Sequence, residues 1–326
     1  MKKIFIAVLA VAALASCATD EIVSTPKGAA IGFGDTFVDN AVRAAVDLKK
    51  GDFDFSVYGS VVNAQGQAGM IFNNQEVAAD GTYSPLQYWI ASADYDFVAI
   101  APYTGAAWTY APAVNTVAEN GTITFNNQTA AGEQDLLFAY AQSRKTPATI
   151  TTAPAKVGFT FSHVLSKVAF KFANTFIDTN ISLKIYNVKI NNAAASGTLP
   201  VANGEDGVWA GTNDFVRAFG PAAAENVEAI GNGGYLTTEH FYLIPVEREY
   251  NITFDVDLYQ AGVKLQTYNH EIPTTIALEK GKNYILNAEL TPETVNPDQE
   301  LYPIVFEVLD VDEWVDASPV TVPTNN

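Results

Sequence analysis

Ile252-Thr253-Phe254-Asp255-Val256-Asp257-Leu258 alternates apolar and polar side chains without a break. An extended chain turns successive side chains to opposite faces. The pattern therefore predicts a strand with one face buried and one wet, the habit of antiparallel sheets. Phe53-Asp54-Phe55-Ser56-Val57 and Val168-Ala169-Phe170-Lys171-Phe172 repeat it, with shorter versions at Ile123-Thr124-Phe125 and Ile304-Val305-Phe306-Glu307-Val308. Asp80-Gly81, Asn120-Gly121, Asn203-Gly204 and Asp206-Gly207 fall between such runs, and these pairs supply the positive φ angles of tight hairpins. Only residues 222–230 predict a short helix, and residues 41–48 fit either state. The chain reads as all-β and sandwich-like, with few short helices. Residues 146–154, rich in Thr, Ala and Pro, read as a connector. They predict a boundary near residue 155 between two units, each long enough for a sandwich of about 100 residues with insertions.

Composition narrows the function. The 326 residues are 48% hydrophobic and 17% charged, too apolar for intrinsic disorder, so a sizeable core is expected. Asp and Glu number 36 against 18 Lys and Arg, a formal charge of -18. Such an excess excludes general binding to nucleic acid or to anionic lipid. One Cys excludes a disulfide framework and a zinc site built from Cys. His163, His240 and His270 leave little for a His-based metal centre, and no cofactor is expected.

Residues 1–16 read as a secretory signal: Lys2 and Lys3, then an apolar run over residues 4–14. That run is too short for a spanning helix, which needs about 20 apolar residues. Leu14-Ala15-Ser16-Cys17 is similar to a bacterial lipobox, in which the Cys is lipidated and becomes the first mature residue. The single Cys of the chain falls at that position. Loss of residues 1–16 removes two Lys and no acid, leaving a formal charge of -20. The expected anchor is the acyl chains on Cys17.

Catalytic motifs are missing from the sequence: it has no Gly-x-Ser-x-Gly, Walker loop or His-Glu-x-x-His. Ser162 and His163 are adjacent, and neighbours on a strand point to opposite faces, so the expectation is a structural His. Asp52/Asp54, Asp94/Asp96, Asp255/Asp257 and Asp310/Asp312 form Asp-x-Asp pairs. They read as a solvated sheet face, because calcium wants a denser oxygen cluster in a Gly-containing loop. Among 36 acids no carboxylate pair is favoured for glycoside hydrolysis. Trp89 and Trp108, with Tyr88, Tyr95, Tyr103 and Tyr110, form the alternative reading, a sugar-stacking platform on a glycan-binding surface lipoprotein. Their other reading is as core and cross-strand partners.

Several segments together resemble the fimbrillin family, the lipoprotein pilins of Bacteroidales. Tyr88-Trp89 followed by Tyr95-Asp96-Phe97-Val98-Ala99-Ile100-Ala101-Pro102-Tyr103 is similar to its strand and turn, and Asp135-Leu136-Leu137-Phe138-Ala139 to its next segment. Phe159-Thr160-Phe161-Ser162-His163-Val164-Leu165-Ser166-Lys167-Val168 resembles a further signature, and Ile304-Val305-Phe306, Val311 and Trp314 the terminal strand pattern. The acidic Asp20-Glu21 behind Cys17 resembles a surface-export signal, or is an ordinary polar tether.

The resemblance implies two tandem transthyretin-like β-sandwich domains, over residues 44–155 and 156–326, behind a signal (1–16) and a lipidated pro-segment (17–43). It implies a non-enzymatic subunit that reaches the outer membrane on lipid. An Arg-specific protease then removes the first strand, and another copy or a related subunit fills the gap, often with its carboxy-terminal strand. On this sequence the first strand is expected over residues 29–37, with Ile31, Phe33 and Phe37 as core candidates and Val42 beyond them. Cleavage is expected between Arg43 and Ala44. Burying four such apolar side chains contributes roughly 6–12 kcal/mol, against a typical domain stability of about 5–15 kcal/mol. Donor candidates are Ile304, Phe306, Val308, Val311, Val320 and Val322, bracketed by Pro303 and Pro319, which cannot sit in a central ladder. Arg43 and the long tail lean toward a shaft subunit.

Overall fold

The computed structural model describes residues 28–38, 53–103, 107–114, 117–127, 135–296 and 304–313. In chain order the strands are β1 (Phe33–Val38), β2 (Phe55–Val62), β3 (Ala68–Val77), β4 (Asp94–Ala101), β5 (Trp108–Val114), β6 (Val117–Asn126) and β7 (Leu137–Lys145). There follow β8 (Val157–His163), β9 (Ser166–Asn174), β10 (Ile181–Ala202), β11 (Glu205–Asp206), β12 (Ala210–Ala218) and β13 (Ile230–Gly231). The last are β14 (Tyr235–Thr237), β15 (Phe241–Leu243), β16 (Glu247–Gln260), β17 (Val263–Ala277), β18 (Lys282–Leu290) and β19 (Glu307–Glu313). The protein is all-β, as its alternation predicts. The helix expected over residues 222–230 shrinks to one 3-10 turn, Ala224–Asn226. No side chain caps its start and none of its residues is buried, so it lacks both the cap and the apolar face that sustain a helix.

Three sheets form two sandwiches. The first sheet runs β1-β8-β7-β4-β2-β3, and both its faces are covered. In β4, Tyr95, Phe97, Ala99 and Ala101 enter one core while Val98 and Ile100 enter another. That is why Phe97–Ala101 reads as a continuous apolar run rather than an alternating one. The second sheet runs β17-β16-β10-β6-β5, and the third β14-β9-β18-β19. Between these two lies the core of the second sandwich, built on Phe170, Phe172, Leu183, Ile185, Ile252 and Phe254.

The sheets do not divide at residue 155. β8 lies beyond that point yet pairs with β7 and β1 in the first sheet. β10 serves both sandwiches: residues 181–190 pair with β16, and residues 196–201 with β6.

Candidate functional site

The structure draws attention to the two ends of the described chain, which each lie at a sheet edge. β1 is the outermost strand of the first sheet and runs parallel to β8, with Phe33 opposite Val157 and Phe37 opposite Thr160. The sequence Ile31-Gly32-Phe33-Gly34 alternates large and absent side chains. Ile31 and Phe33 are each 1% exposed. The Phe33 ring lies 5.3–6.4 Å from five aromatic rings: Phe55, Phe72, Tyr83, Phe97 and Phe159. On the other face the aliphatic chain of Lys156 lies over both glycines. A Cβ on Gly32 would meet Lys156 Cγ at 3.2 Å, and one on Gly34 would meet Lys156 Cβ at 3.0 Å.

Backbone bonds fix this seat. Val157 N–H donates to the Gly32 carbonyl at 2.8 Å, Ile31 N–H to Gln87 at 2.9 Å, and Trp89 N–H to Ala29 at 3.0 Å. The Tyr83 hydroxyl donates to the Ile31 carbonyl at 2.7 Å. Gly81, at φ 82°, lets the Phe33 carbonyl approach to 2.6 Å from where a Cβ would stand. The predicted first strand thus starts later than residue 29: Ala30 makes only an isolated bridge to Tyr88. The side chain of Phe37, and Val42, Arg43, Ala44 and Cys17 altogether, lie outside the described residues.

The remaining arginines are all built into strands. Arg144 in β7 donates to the carbonyls of Ala155 and Lys156. Arg217 in β12 donates to Asn127 and packs over Phe215. Arg248 in β16 donates to Asn192 and pairs with Asp214 at 2.7 Å.

β19 is the outer strand of the third sheet, antiparallel to β18. Ile304 and Phe306, both just before its start, are 4% and 6% exposed. Phe306 meets Phe170, Phe172 and Phe254 at 5.4–6.0 Å. Val308 departs from the predicted alternation, being 42% exposed. The register shifts at Ile285/Leu286, which face Asp310 and Val308. One extra residue on β19, between Val308 and Asp310, is thereby accommodated. Val311 pairs with Tyr284 through its backbone; its side chain, and Val320 and Val322, lie outside the described residues.

Four of the six sugar-platform aromatics are core residues. Trp89 and Tyr95 are buried in one core of the first sheet, and Trp108 and Tyr110 in the other; of the six only Tyr88 is exposed. Ser162 and His163 do not pair. The Ser162 hydroxyl donates to the Phe138 carbonyl, whereas His163 Nδ1 lies 2.5 Å from Asp135. Asp257 is not on a solvated face but buried, with Lys264 at 2.8 Å and hydrogen bonds from Thr267 and Tyr186. Burial works to raise this carboxyl; the bonds from Lys264, Thr267 and Tyr186 outweigh it and hold it below the usual range. Among the described residues no cluster of three His, Cys, Asp or Glu is placed to hold a metal, and no helix is long and apolar enough to cross a membrane.

Residues 42–301 match the family model described as fimbrillin-like. The chain belongs to the fimbrillin-like family. Membership makes this chain a fimbrial-type surface protein. Among solved structures, it is similar to a candidate cell adhesion protein from Bacteroides ovatus, at 18% identity and TM-score 0.51, covering 89% of this chain and 99% of that one. A candidate cell adhesion protein from Bacteroides uniformis aligns at 14% identity and TM-score 0.44, over 89% and 99% of the two chains. The fimbrial anchor protein Mfa2 from Porphyromonas gingivalis aligns at 9% and 0.45, over 87% and 99%. No curated protein matches. The first of these likenesses bears on the fold alone.

Proposed function

We propose that this protein is a non-enzymatic shaft subunit of a cell-surface fimbria, exported to the outer membrane as a lipoprotein through Cys17. Cleavage after Arg43 by an Arg-specific protease releases the lipid together with β1. The vacated edge of β8 then accepts a strand from the tail of another copy or a related subunit. The observation that carries this reading is β1 itself. It is an edge strand whose Phe33 closes an aromatic core, and it ends five residues before Arg43. Its departure opens that core and leaves one edge of β8 unpaired, β7 still holding the other, and strand addition repairs that edge. The engaged guanidinia of Arg144, Arg217 and Arg248 support Arg43 as the preferred site. The burial of Trp89, Trp108, Tyr95 and Tyr110 leaves the glycan-platform reading without its surface.

The test is to treat the unlipidated precursor with an Arg-specific protease and follow mass and size together. Loss of residues up to Arg43, followed by ladders of denaturant-resistant oligomers, is the expected result, and Arg43→Ala abolishes both. A precursor cut at Arg43 that stays monomeric overturns the shaft assignment.

A further inference from the structure

The tail carries two stretches suited to donation, one around Ile304 and Phe306 and one around Val320 and Val322. We infer that the first of these is the donor, and that it enters in one register: residues 304–307 of one copy take the positions of residues 31–34 of the next. The inference rests on the strand-exchange reading above and adds the identity of the partner segment.

Four observations on different atoms select this register. First, Ile31-x-Phe33 and Ile304-x-Phe306 are the same pair at the same spacing, and both pairs are buried. Ile304 and Phe306 therefore carry the shapes that the vacated seat is built to hold. Second, the seat is richer than the one the tail leaves. Among the described residues Phe33 meets five rings, Phe306 three. A phenylalanine that moves from one to the other gains ring partners.

Third, the backbone pattern tolerates the proline that the sequence sets before Ile304. In this register Pro303 replaces Ala30. The ladder to residues 87–89 uses the Ile31 N–H and the Ala29 carbonyl, not the N–H of residue 30, which a proline lacks. Fourth, the outward face is complementary. Gly32 and Gly34 become Val305 and Glu307, both exposed at home. Val305 meets the aliphatic chain of Lys156, whose exposed end can give way. Glu307 comes against the base of Lys156, which forms no ion pair with any described residue. A carboxylate beside that ammonium makes an intersubunit pair that the precursor, with glycine there, does not have.

A donor placed through Val320-Thr321-Val322 offers valines for the Ile and Phe seats, and within the tail the Ile-x-Phe pair occurs only at Ile304 and Phe306.

The test is a crosslink. The precursor with Cys17→Ser carries Lys156→Cys and Glu307→Cys, and is run without reductant before and after Arg-specific cleavage. The Cβ of residue 34 would stand 3.0 Å from that of Lys156, close to the 3.5–4.5 Å of a disulfide. Gly34→Cys with Lys156→Cys in the uncut precursor is thus the positive control, closing within one chain. The expected result for the Glu307 pair is a reducible covalent ladder that appears only after cleavage. A ladder from Thr321→Cys with Lys156→Cys and none from Glu307→Cys overturns the register while leaving strand exchange standing. Absence of any oligomer after verified cleavage of the parent protein overturns both. A charge exchange gives a second readout free of cysteine. Lys156→Glu or Glu307→Lys alone slows elongation by about two- to five-fold, the range for an exposed pair, and the two together restore it. Elongation unaffected by either single change overturns the proposed contact.

Discussion

His270 sits on β17 with its ring stacked on Phe254 of the neighbouring strand, centroids 4.8 Å apart and planes 17° from parallel. It is buried, and its Nε2 has no hydrogen-bond partner among the described residues. Burial pushes its pKa down to about 4, against weaker upward pulls from the Val295 backbone and the Asp255 carboxylate. An unfolded His titrates near 6.5. Between those values the unfolded chain binds a proton that the folded chain refuses, so folding is favoured by raising the pH. The contribution is complete above about pH 6.5 and fades as the pH falls toward 4, amounting to roughly 3 kcal/mol over the window. His270→Phe keeps the stack and removes the proton. Urea unfolding of the two proteins between pH 7 and 4 therefore yields midpoints that diverge, the parent losing stability more steeply. Parallel midpoints would mean that His270 is hydrated and ordinary.

β1 is the element on which the assembly argument turns, and its share of stability is measurable. Phe33→Ala opens a cavity among five rings, and such truncations cost about 3–5 kcal/mol. In the uncut precursor this variant should unfold at markedly lower urea. After cleavage and release of the first strand the same change should have no effect, because residue 33 has left the fold. An equal penalty in both forms would show that β1 stays bound. In the proposed exchange, the contrast with Phe306 favours transfer: two further aromatic pairs are worth about 1–3 kcal/mol to the phenylalanine that takes the Phe33 seat. Much of this element was legible before the fold was known. Ile31 and Phe33 read as core candidates of a first strand, and both are buried, although the strand begins only at Phe33. Residues 168–172 and 252–258 announce their strands by strict alternation. Partner identity was not legible. β10 reads as an ordinary alternating run, and nothing local reveals that Ile185 faces one sandwich and Leu199 the other. Pairing with β16 and β6 joins residues more than 60 apart in sequence. The exposure of Val308 escaped for a similar reason: it lies opposite Leu286 on the outermost strand of the third sheet, and that edge position is set by the fold, not by the tail. Trp89 and Trp108 left two readings open because an aromatic cluster has the same sequence signature in a core as on a binding surface; the fold buries both.

At the scale of the whole molecule, charge opposes assembly while local contacts favour it. Residues 1–43 hold four basic and four acidic side chains, so cleavage after Arg43 leaves the formal charge at -18. Each elongation step thus brings together bodies that repel one another at long range. At 0.1–0.15 M salt the Debye length is about 8–10 Å, and at 0.01 M about 30 Å. The repulsion is felt across a whole subunit in dilute buffer and only near contact at physiological salt. The contacts at the β8 edge, made by the rings around Phe33 and by backbone hydrogen bonds, are insensitive to salt by comparison; the single Lys156–Glu307 pair weakens with it, but only by the small worth of an exposed ion pair. Elongation of cleaved subunits, followed by light scattering, is accordingly expected to speed up several-fold between 10 and 150 mM NaCl. The charge-exchanged double variant, with the same net charge, should follow the same curve. A rate that falls as salt is added would mean that encounter is steered by attraction between local patches, and that the acidic excess of the chain is turned away from the growing end.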